Sequence, residues 1–179
     1  MTDVATYYLE MRDPRALRPK PTIADTALVR VDPPMPELNR FFYATVGGDW
    51  HWIDRLPWTW QRWFDYLNRP ELQTWMLTER GIPAGYFELE TQPGGDVEIA
   101  YFGLLPRFVG KGLGGYLLTC TIEKAWATNA RRVWVHTCSL DHPQALANYL
   151  ARGFTKYKEE TIQIDVAPQP IGPWLGARG

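Results

Sequence analysis

Apolar positions recur along this chain in two periods, and the change of period marks its elements. Thr6–Met11 (TYYLEM) is predicted to be a first strand, ended by Arg12-Asp13-Pro14. The basic, proline-bearing stretch RDPRALRPKP is predicted to be a loop or extended arm, with a second strand at Ala27–Val31. Pro33, Pro34 and Pro36 break the chain, and Pro36 suits the first turn of a helix that ends near the Gly47-Gly48 pair. A second helix is expected from about Thr59 to Leu67, stopped by Asn68 and Pro70. Leu72–Thr78 and Ala84–Glu90 form a hairpin around Arg80-Gly81-Ile82-Pro83. The apolar, aromatic run Val97–Leu105 is predicted to be a buried strand, ended by Pro106 because proline cannot donate to a ladder. Beyond it Tyr116, Leu117, Leu118, Ile122, Ala125 and Trp126 have helical spacing; a strand at Arg132–Cys138, a helix within HPQALANYLARGF and a strand at Lys156–Val166 follow.

Between the central strand and its helix lie Gly110, Gly112, Gly114 and Gly115, with Arg107 and Lys111 among them. Glycine tolerates positive φ and has no side chain to shield its N–H, so such a turn can aim several amides at one anion. The helix N-terminus adds partial positive charge. A plain tight turn needs only two glycines, and four beside two cations favour a phosphate cradle. Neither a P-loop string nor a dinucleotide-binding Gly-x-Gly-x-x-Gly after an early strand is present.

The pattern Arg107-x-x-Gly110-x-Gly112, preceded by a strand and Pro106, resembles the acetyl-CoA pyrophosphate motif of the GNAT superfamily of N-acetyltransferases. A second motif stands in register with it, Tyr149 four residues before Gly153-Phe154, and the likeness covers about residues 96–160. The asparagine that commonly opens the second helix is absent; His142-Pro143 replaces it after Asp141, which reads as an N-cap. The resemblance implies an α/β (α+β) fold, a mixed, largely antiparallel sheet with splayed central strands flanked by helices. It implies an acetyl-CoA site at Leu104, Leu105, Arg107, Phe108, Val109, Gly110, Lys111, Gly112, Leu113, Gly114 and Gly115, completed by His142 and Tyr149. It also implies that the Leu104 N–H faces the thioester carbonyl.

Composition narrows the class. The chain has 179 residues, 45% of them hydrophobic and 22% charged, which suits one domain with a proper core. Residues 1–166 are expected to form that domain, and 167–179 (APQPIGPWLGARG) a Pro/Gly-rich tail. A net charge of −1 gives no sequence-independent pull on nucleic acid. No leader pattern and no apolar run of bilayer length is present, so a cytoplasmic protein without a membrane contact is expected. Cys120 and Cys138 lack metal-site spacing, so no metal is expected.

Acetyl transfer to an amine requires a held thioester, a neutral amine beside it and a stabilised oxyanion. A lysine-like ammonium has a pKa near 10.4, so keeping it neutral at pH 7 costs roughly 4–5 kcal/mol, which a base relieves. Glu98 on the central strand is the candidate base, six residues before Leu104, where one GNAT subgroup carries its glutamate; the alternative is a strand-end glutamate in solvent or a salt bridge. Strand periodicity places Glu98, Ala100 and Phe102 on one face, and Gly103 signals a bulge or a close backbone approach. His51 and Asp54 are weaker candidates. Tyr149 is the candidate acid for the departing thiolate, or else a packing residue on its helix. His136 and Thr137 either line the cofactor cleft or fill the sheet. Six of the nine tryptophans lie between Trp50 and Trp75. Trp50, Trp52 and Trp58, with Glu98, are candidates for walling an acceptor pocket, while most such rings fill core. The expected activity is acetyl-CoA-dependent transfer to a primary amine of a small or amino-acid-like molecule by direct attack. The alternatives are a protein or peptide acceptor, and a non-catalytic acyl-CoA-binding module whose contact is Trp174 and the tail. A homodimer is a further reading of that tail.

Overall fold

The computed structural model describes residues 1–166; the tail 167–179 with Trp174 lies outside the described residues. Seven strands form one sheet: β1 (Thr2–Met11), β2 (Thr26–Arg30), β3 (Leu72–Glu79), β4 (Ile82–Thr91), β5 (Asp96–Leu104), β6 (Arg132–Cys138) and β7 (Thr155–Ile164). Their spatial order is β2-β3-β4-β5-β6-β1-β7, and every pairing is antiparallel except β5 with β6. Among the described residues four α-helices cover the sheet, α1 (Pro36–Gly47), α2 (Trp60–Leu67), α3 (Leu113–Trp126) and α4 (Ala145–Ala151).

The first 35 residues find their places in this sheet. β1 is an interior strand: Leu9 and Met11 pair with Val135 and Val133 and are buried with them, while the opposite edge carries β7. The basic arm runs over the middle of α3 and the end of α4, where the Lys20 N–H donates to Thr119 Oγ1 and the Arg18 N–H to Arg152 O.

β4 is buried from Ala84 through Leu89, the continuous run expected of a strand covered on both faces. On one face α1 contributes Asn39, Phe42, Tyr43 and Val46, spaced as one helical stripe, and Phe42 stacks on Tyr86 with centroids 4.8 Å apart. On the other face α3 inserts Leu113, Leu117, Leu118, Ile122 and Ala125. Thr59 caps α2 by accepting the Arg62 N–H, and Trp63 and Leu67 bury against Tyr43 and Leu72.

Two details of β5 depart from its periodicity. The ladder with β4 shifts register between Glu88 and Leu89, which pair with Tyr101 and Ile99, so Ala100 is the extra residue of a bulge. Glu98 therefore shares a face with Tyr101 and Gly103, while Phe102 falls with Ile99 and Leu104 on the other. The bulge is thus at Ala100 and not at Gly103. Gly103 is instead a close approach, since a Cβ there would stand 2.3 Å from Val46 Cγ1 of α1.

The second helix of the cofactor region also starts later than expected. α4 begins at Ala145 after Gln144, with no side-chain cap, and Asp141 is used elsewhere. Its Oδ2 accepts the Thr137 hydroxyl at 2.7 Å and the Cys138 N–H at 3.0 Å. Pro106 opens a 3-10 turn, Pro106–Phe108, as well as closing β5.

Candidate functional site

β5 and β6 pair only from Asp96↔Arg132 to Glu98↔Trp134, and beyond Glu98 no ladder joins them. The two strands diverge there because each keeps its bonds to its outer neighbour, β5 to β4 and β6 to β1. A cavity of about 1060 Å³ occupies the wedge. Its wall includes Glu98 through Leu104 from β5, Val135 through Cys138 from β6, Gly114 and Gly115 from α3, and Asn148 and Tyr149 from α4. Through the splay it opens onto both faces of the sheet.

At one end stands the glycine turn. Gly110 and Gly112 have φ of 80° and 81°, and among the described residues, chain neighbours aside, nothing lies within 4 Å of where a Cβ would sit on either. Gly112 is the N-cap of α3 and offers no side chain to its amides. The first N–H groups of the helix are thus left without an intrahelical or side-chain partner, the arrangement that binds anions. Arg107 and Lys111 are exposed beside it. Asn148 Nδ2 donates to Gly114 O at 3.3 Å and ties α4 to this turn. These features fit a diphosphate group of the acetyl-CoA kind, and the cavity reaches Val109 and Gly110.

The other expected cofactor residues divide by position. Leu104 lines the cavity, whereas Leu105, Phe108 and Leu113 turn their side chains into the core. The Leu105 N–H is taken by Ala84 O at 2.9 Å. Only backbone atoms of Phe108 and Leu113 can face a ligand. His142 lines the cavity, its Nδ1 accepting the Gln144 N–H at 3.0 Å and its ring edge-on to Trp50 at 5.0 Å.

Tyr149 is buried, with its ring against Phe102 at 6.0 Å and Phe154 at 5.9 Å. Burial pushes its hydroxyl pKa well above the ordinary tyrosine value. Phe102 and Tyr149 approach from the α4 side, and Glu98 from the α1 side. The splay brings the two candidate catalytic residues into one cavity from opposite faces.

Around Glu98 a bonded set has formed. Gln92 Nε2 donates to its Oε2 at 2.9 Å, the Trp134 indole N–H donates to Gln92 Oε1 at 3.0 Å, and His136 Nδ1 lies 3.5 Å from its Oε1. Hydrogen bonding to Glu98 raises the His136 pKa above the ordinary imidazole value, and burial opposes the shift in part.

The tryptophan-rich segment between α1 and α2 crosses the mouth. The Trp52 indole N–H donates to Asp141 Oδ1 at 3.3 Å, so this segment is strapped to the loop before α4. Trp50, His51, Trp52 and Asp54 line the cavity; His51 does so with a left-handed φ of 60°. Trp58 does not. It packs on Trp63 and Tyr66 in the satellite cluster, because Arg55 and Arg62 lie over its ring at 4.9 and 4.6 Å and hold it there.

Arg55 and Tyr101 are among the wall residues that the sequence motifs do not single out. Arg55 is buried between the rings of Tyr66 and Tyr101, 4.0 and 4.1 Å from its guanidinium carbon, and donates to the buried Glu88. Burial opposes its charge, but Glu88 and the two tyrosines outweigh it and keep it protonated. An arginine amid closely spaced aromatic residues was the available signal.

The model of the acetyltransferase (GNAT) family matches residues 35–154. No curated protein sequence matches the chain. Among solved structures, a GCN5-related N-acetyltransferase from Kribbella flavida is similar at TM-score 0.62 and 17% identity, over 85% of this chain and 54% of that one. The spermidine N-acetyltransferase from Vibrio cholerae, solved with CoA and spermine, is similar at TM-score 0.63 and 14% identity, over 76% and 84%. The ribosomal-protein-S18-alanine N-acetyltransferase from Escherichia coli gives 0.58 and 15%, over 74% and 79%. The chain spans about half the length of the Kribbella structure.

Proposed function

The chain belongs to the acetyltransferase (GNAT) family, and from that premise we propose that it transfers an acetyl group from acetyl-CoA to a primary amine of a small or amino-acid-like acceptor. One observation carries this reading: the strand divergence after Glu98 opens beside an uncapped, glycine-led helix start, so a thioester and its phosphates find one continuous site. Bound acetyl-CoA supplies the activated acetyl group. The amides of the Gly110–Gly115 turn, with Arg107 and Lys111, hold the diphosphate. The freed edge of β5 near Leu104 orients the acyl end, and Tyr149 protonates the departing thiolate. The Glu98 cluster receives the acceptor's proton, and the amine attacks directly, with no covalent enzyme intermediate.

The strap from Trp52 to Asp141 supports a small acceptor, because it bridges the α1 side of the cavity to the α4 side. Trp50 and Trp52 are the proposed acceptor wall. The test is CoA-thiol release from acetyl-CoA at about pH 8 across amines, amino acids, polyamines and short peptides. Release with a small-molecule class is expected. Release with peptides alone moves the acceptor to a protein N-terminus or lysine, and thermal stabilisation by acetyl-CoA without any release favours the binding module.

A further inference from the structure

Glu98 is poorly placed to act as a lone base. Both of its oxygens face donors, Gln92 Nε2 on one side and His136 Nδ1 on the other. Its partner is better placed. His136 lines the cavity beside Glu98 and its side chain is 49% exposed against 15% for the glutamate. The imidazole has the Tyr8 ring beside it at 6.0 Å and the Trp134 ring at 6.1 Å, and among the described residues no group bonds Nε2. With Nδ1–H turned toward the carboxylate 3.5 Å away, the neutral tautomer leaves its lone pair on Nε2.

We propose that His136 Nε2 takes the acceptor's proton, with Glu98 as the positioning residue that holds Nδ1–H and stabilises the imidazolium. The inference rests on the acetyl-transfer reading and deepens it. An ordinary carboxylate near 4.3 lies about six units below a primary ammonium near 10.4, whereas an ordinary imidazole near 6.5 lies about four below it. The closer match makes imidazole the stronger base at neutral pH. One proton leaves R–NH3+ for Nε2; the neutral amine forms the C–N bond as the C–S bond breaks, and the second N–H proton, shed as the amide forms, replaces the one that Tyr149 gives to the departing thiolate. The half-exposed imidazolium then returns the proton to solvent.

Among the described residues the groups facing His136 are few. β5 presents Glu98, β1 presents Tyr8, β6 presents Trp134, and Asp141 acts on it from the loop before α4. On β7, Lys158 pairs with Tyr8 and lies one strand further out, with Glu160 accepting the Tyr8 hydroxyl. The carboxylates lift the imidazole pKa, so the base is neutral and competent only above that raised value, and activity falls as pH drops through it.

Two variants decide the matter, His136→Gln and Glu98→Gln, each followed by kcat/KM against pH and by NMR titration of the His136 ring. His136→Gln is expected to lose about 100-fold or more at pH 7.5, within the usual worth of a general base, and to lose the acidic limb. Glu98→Gln is expected to keep a limb, moved to lower pH, with the His136 titration moved the same way. If instead Glu98→Gln abolishes the limb while His136→Gln keeps it, Glu98 is itself the proton acceptor and the inference falls, with acetyl transfer intact. If no amine releases CoA thiol, the acetyl-transfer reading fails. The ring titration still judges the pair in that case, and an unmoved His136 pKa in Glu98→Gln overturns the dyad.

Discussion

Arg55 donates through Nη1 to Oε2 of Glu88 at 2.9 Å, with the glutamate fully buried. Asn39 Nδ2 donates to the other oxygen at 2.9 Å and the Tyr66 hydroxyl to Oε2 at 3.2 Å, so one carboxylate joins α1, the Trp-rich segment and α2 to β4. Removing one partner strands a buried charge. Glu88→Gln should destabilise by about 3–5 kcal/mol, measured by urea unfolding. Replacing both charges, Arg55→Met with Glu88→Leu, should recover part of that loss, since Asn39 Nδ2 keeps Thr74 Oγ1 as an acceptor and the Tyr66 hydroxyl alone loses its partner. A double variant no more stable than the single one would show that the pair is not the source of the cost.

Gly103 faces Val46 with no space for a methyl group, at the point where β5 borders the cavity. Gly103→Ala should cost about 1–3 kcal/mol through overpacking, shifting α1 or the end of β5. Val46→Ala in the same chain should restore thermal stability and acetyl-CoA binding together. Restored stability without restored binding would mean that the glycine backbone itself meets the ligand.

Gly112 sits at φ 81°, and a side chain there would point into open space. Gly112→Ala should therefore cost only the left-handed strain, about 1–2 kcal/mol. Gly112→Glu adds bulk and negative charge where the anion is expected. It should weaken acetyl-CoA binding, followed by calorimetry, at least 10-fold beyond the alanine variant. Equal affinities for the two variants would place the diphosphate elsewhere.

What the sequence made legible was local. Strand, glycine turn and helix are each coded by neighbours a few residues apart, so the order of elements around Gly110–Gly115 could be read directly. The bulge at Ala100 could not, because it is a mismatch with Glu88 and Leu89 on another strand. Asp141 before a proline reads locally as a helix cap, and it lost that role to partners the local pattern does not contain, Trp52, Thr137 and Cys138. The interior position of β1 and the meeting of Glu98 with His136 are likewise products of sheet order. Local spacing groups Trp58 with Trp50 and Trp52 as pocket wall; what separates it from them is Arg55, whose own place is set by Glu88.

Tyr149 offers a test in which packing and chemistry separate. A thiol with a pKa near 8.5 receives a proton from an ordinary tyrosine near 10 slightly uphill, and burial pushes the Tyr149 hydroxyl further up, making it a weaker acid. It also stays protonated throughout the working range, so it should contribute no alkaline limb below about pH 10. Tyr149→Phe keeps the ring contacts with Phe102 and Phe154 and should leave thermal stability and the acetyl-CoA KM unchanged. Its kcat should fall by less than the roughly 100-fold that a well-matched general acid is worth. Tyr149→Ala opens a cavity instead and should cost about 3–5 kcal/mol, by analogy with other buried aromatic truncations. A loss of 100-fold or more in the phenylalanine variant, together with an alkaline limb in the wild type that the variant lacks, would mean that ligand binding brings the hydroxyl pKa back down. Tyr149 would then be an obligatory acid, and the cavity around it more polar when filled than burial alone implies.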